Sequence, residues 1–249
     1  MLIAALLATL FLLPVVAKVA VAAILALVAG YEWARLCRLG NGATALYTGA
    51  AAAAYLAAFS TPQNAPMAMM LVALAFWLVV APLWLWRGLQ SAPAGMLAAV
   101  GFVVIVPAAL ALVLMDPWEL LGVLALVWIA DIAAYFAGRA FGRHRLAPHI
   151  SPGKTWEGAV AGVVGALAYA IICGTFLKGL PWMVYLAVAT LLAVISVVGD
   201  LFESAVKRRA GVKDSGALLP GHGGLLDRID SALAVLPLAA ILSPVLKSI

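Results

Sequence analysis

The amino-acid sequence predicts an all-α protein, a polytopic transmembrane helical bundle of about nine spans with no soluble domain. Two observations predict it. The chain is 67% hydrophobic and 10% charged, with a mean hydropathy of +1.16, whereas a soluble globular domain carries about a quarter charged residues. Its apolar stretches are long, rich in Ala, Leu and Val, and free of strict alternation, which marks helices rather than barrel strands. A surface this apolar has the lipid bilayer as its only suitable solvent.

The segments follow in order at 2–14, 17–36, 43–59, 66–86, 93–115, 118–138, 158–177, 181–206 and 229–246. The first falls short of the roughly 20 residues that a crossing needs. Pro14 and Lys18 interrupt the run before the second, and one long bent helix over both is the alternative. No Lys or Arg precedes the apolar run from Leu2, so a cleaved signal is not expected. Ala50–Ala54 is a small-residue patch of the kind that lets helices approach closely. Cys37 and Cys173 lie far apart in apolar segments and read as buried, inert thiols.

Charge orders these segments. The ends of the second, fourth, sixth and eighth gather Arg35, Arg38, Arg87, Arg139, Arg143, Arg145, Lys154, Lys207, Arg208, Arg209, Lys213 and Arg228, leaving Lys18, Lys178 and Lys247 for the other side. Basic loops face the cytoplasm. The expected setting is therefore an integral membrane protein of a bacterial cytoplasmic membrane, its basic face in the cytoplasm. The N-terminus is inside and the C-terminus outside if the first segment crosses.

Composition also divides the chain. Residues 1–130 hold three acidic residues (Glu32, Asp116, Glu119) and no His, whereas residues 131–230 hold seven acidic residues and all three His. Residues 1–117 read as a transmembrane scaffold and 118–249 as a catalytic region with cytoplasmic loops, because ionisable residues in or beside a span are costly and usually functional. Three clusters carry the polar groups. Asp131, Tyr135 and Gly138 share a helix face, followed by Arg139. Ser151 to Gly158, with Lys154, reads as an irregular loop held open by Pro152 and Gly153. The third runs from Asp200 to Ser231, with Asp200, Glu203 and Lys207 on one helical stripe and Asp227, Asp230 and Ser231 on another. A Gly-rich loop with Lys213, Asp214 and His222 lies between the two stripes.

Two carboxylate-bearing helix ends, a Gly-rich loop and many cations suit a metal-bound polyphosphate. Carboxylates and phosphate oxygens share Mg²⁺, and Lys, Arg and loop N–H groups neutralise phosphate. Two metals can clamp an in-line displacement. Such transfer needs positioning and charge neutralisation rather than a Ser-His-Asp nucleophile, and no such set is present. Gly153-Lys154-Thr155 matches only the end of a phosphate-binding loop motif, without its first glycine. An ion-coupled transporter would also carry charged spans, but the charges here collect at one face and in one half of the chain.

The third cluster resembles the signature of the phosphatidate cytidylyltransferase (CDP-diacylglycerol synthase) family. The resemblance rests on Ser204, Lys207, Arg208, Lys213, Asp214, Gly216, Pro220, His222, Gly223, Gly224, Asp227, Arg228 and Asp230 in their spacing. It covers about residues 120–249 by motif and the remainder by span pattern. It implies that CTP and phosphatidate give CDP-diacylglycerol and pyrophosphate with Mg²⁺, a second metal ion being the alternative stoichiometry. Relatives acting on polyprenols or ether lipids would share the polar cluster. Asp200 and Asp227 are the foremost metal ligands expected, with Asp214 and Asp131 after them. An ion pair with Lys207 or Arg228 is the competing role for the first two. Asp230 is read as an orienting group. Lys207, Arg208, Lys213, Lys154, Arg139 and Arg228 are expected at phosphates, and Gly223 and Gly224 would let backbone approach them. Ser204 is expected to hydrogen-bond within its helix, and Arg209 to be a bystander. His222 is a phosphate donor, an acid/base or a loop-shaping residue. No nucleic-acid partner is expected. A homodimer is common among such bundles, although no residue demonstrates it.

Overall fold

A chain segment in a bilayer has no water to satisfy its backbone, so each apolar run closes its own hydrogen bonds as a helix. The computed structural model describes residues 2–62, 64–177, 179, 181–216 and 223–248. Among these residues nine helices succeed one another: α1 (Leu2–Phe11), α2 (Val15–Leu36), α3 (Asn41–Ser60), α4 (Asn64–Arg87), α5 (Ala94–Leu114), α6 (Pro117–Phe141), α7 (Trp156–Gly174), α8 (Trp182–Arg209) and α9 (Leu226–Ser248). Seven of them, α2 to α8, are long and apolar enough to cross a membrane. Helix α9 has 23 residues, about 34 Å at 1.5 Å per residue, and its opening turns carry Asp227, Arg228 and Asp230. Helix α1 has ten residues, which span only about half the hydrocarbon thickness. It is parted from α2 at Leu12–Pro14, so the two are not one long bent helix.

Local chemistry explains several boundaries. Asp116 caps α6 by accepting from the Trp118 and Glu119 amides at 2.9 and 3.4 Å, and Pro117 occupies the first helical position, where no N–H is needed. Within α4, residues Phe76–Val80 form a π-helical turn just before Pro82. Pro82 has no N–H and its ring crowds the preceding carbonyls, so the ladder widens there instead of breaking.

The structure corrects one sequence expectation. Ser151–Thr155 is not an irregular loop but a strand, β2, paired antiparallel with β1 (Arg145–Ala147). Pro152 is tolerated because a two-stranded ribbon has free edges at which a residue need not donate to the ladder.

Helix α5 is the most enclosed, with 61% of its apolar window buried against 22–33% for the other six apolar helices. Trp33 of α2 and Tyr47 of α3 clamp it by donating to the Leu97 and Ala98 carbonyls at 2.8 and 2.7 Å. Helix α9 packs along α8 and also meets α4, α5 and α6. Phe202 of α8 is buried among the rings of Trp33, Phe76, Trp77 and Trp84.

Helices α6 and α7 pack through a buried small-residue stripe on α7: Gly158, Gly162, Ala166, Ala170 and Gly174. In lipid, such stripes let backbones approach and gain van der Waals contact. This crossing places α6, which bears Asp131, beside the hairpin that bears Lys154. A Cβ at Gly158 would lie 2.8 Å from the Ala134 carbonyl oxygen and 3.2 Å from the Gly138 Cα. Gly158→Ala is expected to lower stability by about 1–3 kcal/mol through overpacking. Gly49→Ala, in open space on α3, should raise it by about 0.5–1 kcal/mol through helix propensity. Unfolding of each variant in detergent micelles checks both signs.

Candidate active site

At the end of the bundle where α6 and α8 finish and α7 and α9 begin, five carboxylates gather. Asp131 comes from α6, Asp200 and Glu203 from α8, and Asp227 and Asp230 from α9. Their proximity follows from close backbone approach. A Cβ at Gly199 would sit 2.8 Å from Ala234 Cβ and 2.9 Å from the Asp230 carbonyl oxygen, so glycine lets α9 lie directly on α8. Asp131 and Asp230 both lie within electrostatic reach of Asp200 and of Lys154, and Asp230 also of Glu203. Asp131 is exposed on α6.

Two lysines sit among these acids. Lys154, from β2, makes an ion pair with Asp200. Lys207 bridges Glu203 and Asp227, its Nζ 2.5 Å from Glu203 Oε2 and 2.6 Å from Asp227 Oδ1. Both Glu203 and Asp227 are nearly enclosed, with side chains 3% and 9% exposed. The five carboxylates thus meet two ammonium groups, and the direct ion pairs leave a surplus of negative charge at the end of a low-dielectric bundle. Such a surplus favours added cations. Among the described residues no three His, Cys, Asp or Glu side chains form a ready-made metal cage. The donors are hard carboxylate oxygens, which fit Mg²⁺, an ion that commonly takes one or two carboxylates and completes its shell with water and substrate phosphate.

The loop between α8 and α9 is held by acids at both ends. Asp227 Oδ2 accepts from the Ser215 amide at 2.9 Å and the Gly224 amide at 2.8 Å, with the Ser215 hydroxyl oxygen 3.1 Å away. Glu32, buried on α2 at 2% exposure, accepts from the Ser215 hydroxyl at 2.9 Å and from the Leu225 and Leu226 amides at 2.8 Å each. Two carboxylates thereby satisfy N–H groups at the start of α9, where the helix dipole also favours negative charge.

The remaining expected residues are spread more widely. Ser204 donates to Asp200 Oδ1 at 3.4 Å, within its own helix. Arg208 donates to the Ile150 and Val212 carbonyls at 3.1 and 3.2 Å, tying the end of α8 to the hairpin. Arg209 grips the Ala92 carbonyl through two nitrogens and joins α8 to the α4–α5 turn. Arg139 lies exposed on α6 and donates to the Tyr135 hydroxyl at 3.2 Å. Lys213 and Asp214 are exposed in the loop, and Arg228 is exposed on α9. Gly223 adopts φ +78, with Asp227 beneath it. His222, with Pro220 and Gly221, lies outside the described residues. Sequence reasoning left Glu32 in the scaffold and did not single out Ser215. The signal available for Glu32 was a lone acid inside an otherwise apolar span. A separate cavity of about 650 Å³ lies at the opposite ends of α6 to α9, near Glu119, Tyr169 and Tyr185, and contains none of the clustered acids.

The sequence matches the model of the cytidylyltransferase family over residues 1–246. It is similar to the phosphatidate cytidylyltransferase of Pseudomonas aeruginosa, 38% identical over 235 residues, which cover 85% of this chain and 82% of that one. It is 50% identical over 133 residues to the phosphatidate cytidylyltransferase of Haemophilus influenzae, covering 49% of this chain and 46% of the relative. With that of Thermotoga maritima it shares 41% identity over 133 residues, covering 51% and 49% of the two chains.

Removing Lys207 would leave two enclosed carboxylates without their shared cation. Breaking a buried pair from one side costs about 3–5 kcal/mol. Lys207→Met is therefore expected to unfold markedly earlier on heating in detergent. Lys207→Met combined with Glu203→Gln should recover part of that loss, because it neutralises one of the abandoned acids.

Proposed function

The chain belongs to the cytidylyltransferase family, and we infer that it transfers the cytidylyl group of CTP to phosphatidate, releasing pyrophosphate and forming CDP-diacylglycerol. The observation that carries this reading is the convergence of Asp131, Asp200, Glu203, Asp227 and Asp230 with Lys154 and Lys207 at one end of a membrane bundle. A lipid phosphate oxygen attacks the α-phosphorus of CTP, forming one P–O bond. The bond from that phosphorus to the β-phosphate oxygen breaks, and pyrophosphate leaves with its electron pair. Both substrates are anionic phosphates, so they must be held together against their own repulsion.

The chain's residues divide that task. Lys154 and Lys207 pair directly with the clustered acids, and each can turn to a phosphate oxygen when its carboxylate finds another counter-ion. Asp200, Asp227 and Asp131 are the set that would hold Mg²⁺. When bound, that ion would neutralise phosphate charge and hold CTP in place. Lys213, at the exposed loop, draws the nucleotide from solution. Arg139, exposed at the membrane-proximal end of α6 beside Tyr135 and Phe136, suits a lipid headgroup approaching from the bilayer. The basic ends of α2, α4, α6 and α8 favour a cytoplasmic orientation of this site in a bacterial membrane, the side on which CTP is available.

Purified protein in mixed micelles with CTP, phosphatidate and Mg²⁺ is expected to yield CDP-diacylglycerol and pyrophosphate, and to stop with EDTA. No product from phosphatidate under these conditions would sink the reading. Asp200→Asn should retain a folded profile on size exclusion while turnover falls at least about 100-fold, the scale of losing a transition-state charge contact.

A further inference from the structure

Glu32 is the only acidic residue of α2, and it is among the most buried polar side chains described, at 2% exposure. A carboxylate so placed is costly unless its oxygens are fully used. Here both are. Oε1 accepts from the Leu225 amide, and Oε2 accepts from the Leu226 amide and the Ser215 hydroxyl. These donors belong to the two ends of the loop that joins α8 to α9, more than 180 residues away in sequence. Gly216 and Gly224, at the two ends of that loop, both pack against this side chain. A Cβ at Gly216 would lie 2.7 Å from Glu32 Oε1, and one at Gly224 would lie 2.6 Å from Oε2.

The contact continues directly into the acid cluster. The Ser215 hydroxyl that reaches Glu32 at 2.9 Å also lies 3.1 Å from Asp227 Oδ2, and the Ser215 and Gly224 amides bond that same oxygen. Asp227 Oδ1 is left facing Lys207. Glu32 thus fixes where the loop closes, the loop fixes Asp227 Oδ2, and the orientation of Oδ1 follows. The first N–H groups of α9 are held by the same carboxylate, which sets the axial position of Asp227 and of Asp230 one turn further on.

We propose that Glu32 is a positioning residue for the transfer reaction: it does not touch substrate, but docks the loop between α8 and α9 onto α2 so that Asp227, Asp230 and the loop amides stand in working register. This rests on the activity inferred above. It assigns to the first half of the chain a part in the chemistry, as the wall against which the site is assembled. A carboxylate is required rather than an amide, because three donors converge on two oxygens. In Glu32→Gln one of those oxygens becomes an NH₂ facing donors.

The test combines two readouts on the full chain in detergent. Hydrogen–deuterium exchange reports the docking whether or not the reaction is the one inferred. In Glu32→Gln the amides of Leu225, Leu226 and Ser215 should exchange at least about tenfold faster, while those in the middle of α5 stay as in the parent. In the cytidylyl-transfer assay, kcat should fall by about 10–100-fold, the range for groups that orient ligating side chains. The Mg²⁺ concentration for half-maximal rate should rise, and KM for phosphatidate should stay within about twofold. Glu32→Asp, which keeps the charge on a shorter arm, should recover part of the rate. If Glu32→Gln does not fold, Ser215→Ala decides, since it removes only the hydroxyl shared by the two carboxylates. A raised Mg²⁺ requirement with faster exchange at Leu225 supports the proposal. Parental exchange and kinetics in the folded Glu32→Gln or Ser215→Ala protein overturn it, as does a general rise of exchange through all helices with kcat per folded molecule unchanged. A parent protein that makes no product, yet shows the local exchange change on Glu32→Gln, would refute the inferred reaction and leave the docking role standing.

Discussion

Everything at the polar end of this bundle depends on satisfying carboxylates that are nearly out of water. Glu32, Glu203 and Asp227 are each enclosed by protein, and a carboxylate in that position is tolerable only with strong donors or a cation on it. Lys207 serves two of them at once. The loop backbone and Ser215 serve Glu32 and Asp227 together. The acids are therefore fixed points that hold the two described ends of the loop, at Ser215 and at Gly224–Leu226.

That arrangement requires helices to come closer than ordinary side chains allow. Gly199 brings α9 onto α8, and the small-residue stripe of α7 brings α6 and the hairpin together. In a bilayer the lipid tails are as apolar as the helix surfaces, so such contacts must be won by packing rather than by expulsion of water. The same contacts assemble the charged cluster, because the surfaces that meet bear Asp230, Asp131 and Lys154. Packing and charge are coupled here: widening a crossing by the thickness of a methyl group also moves a carboxylate.

Much of this was legible in the sequence. Composition and uninterrupted apolar runs reveal the helices. The stripe of Asp200, Glu203 and Lys207 is visible from helical spacing, and Lys207 does pair with Glu203. Other features leave no local trace. Nothing near Glu32 announces that its partners lie beyond residue 214, since a hydrogen bond across such a separation is set by tertiary packing alone. The hairpin at Arg145–Thr155 was hidden by Pro152 and Gly153, which ordinarily interrupt a strand but are harmless at a free edge. Asp227 was legible as a charged group at a helix start, but not as the anchor of its own preceding loop.

The division of labour between lysine and arginine at this face follows from the same physics. The arginines described in detail are engaged with carbonyls or a hydroxyl: Arg38 with Ala210, Arg208 with Ile150 and Val212, Arg209 with Ala92, Arg139 with Tyr135. Their planar forks hold several oxygens in fixed directions, which suits stitching the end of α8 to neighbouring loops and capping its last carbonyls. Lys154 and Lys207 instead sit on the acids. An ammonium is a compact charge on a flexible stem, so it can neutralise a carboxylate in the resting protein and swing to a phosphate without disturbing the backbone around it. Exchanging the two residue types would leave the net charge unchanged, yet place rigid forks on the clustered carboxylates and flexible stems where the frame must hold.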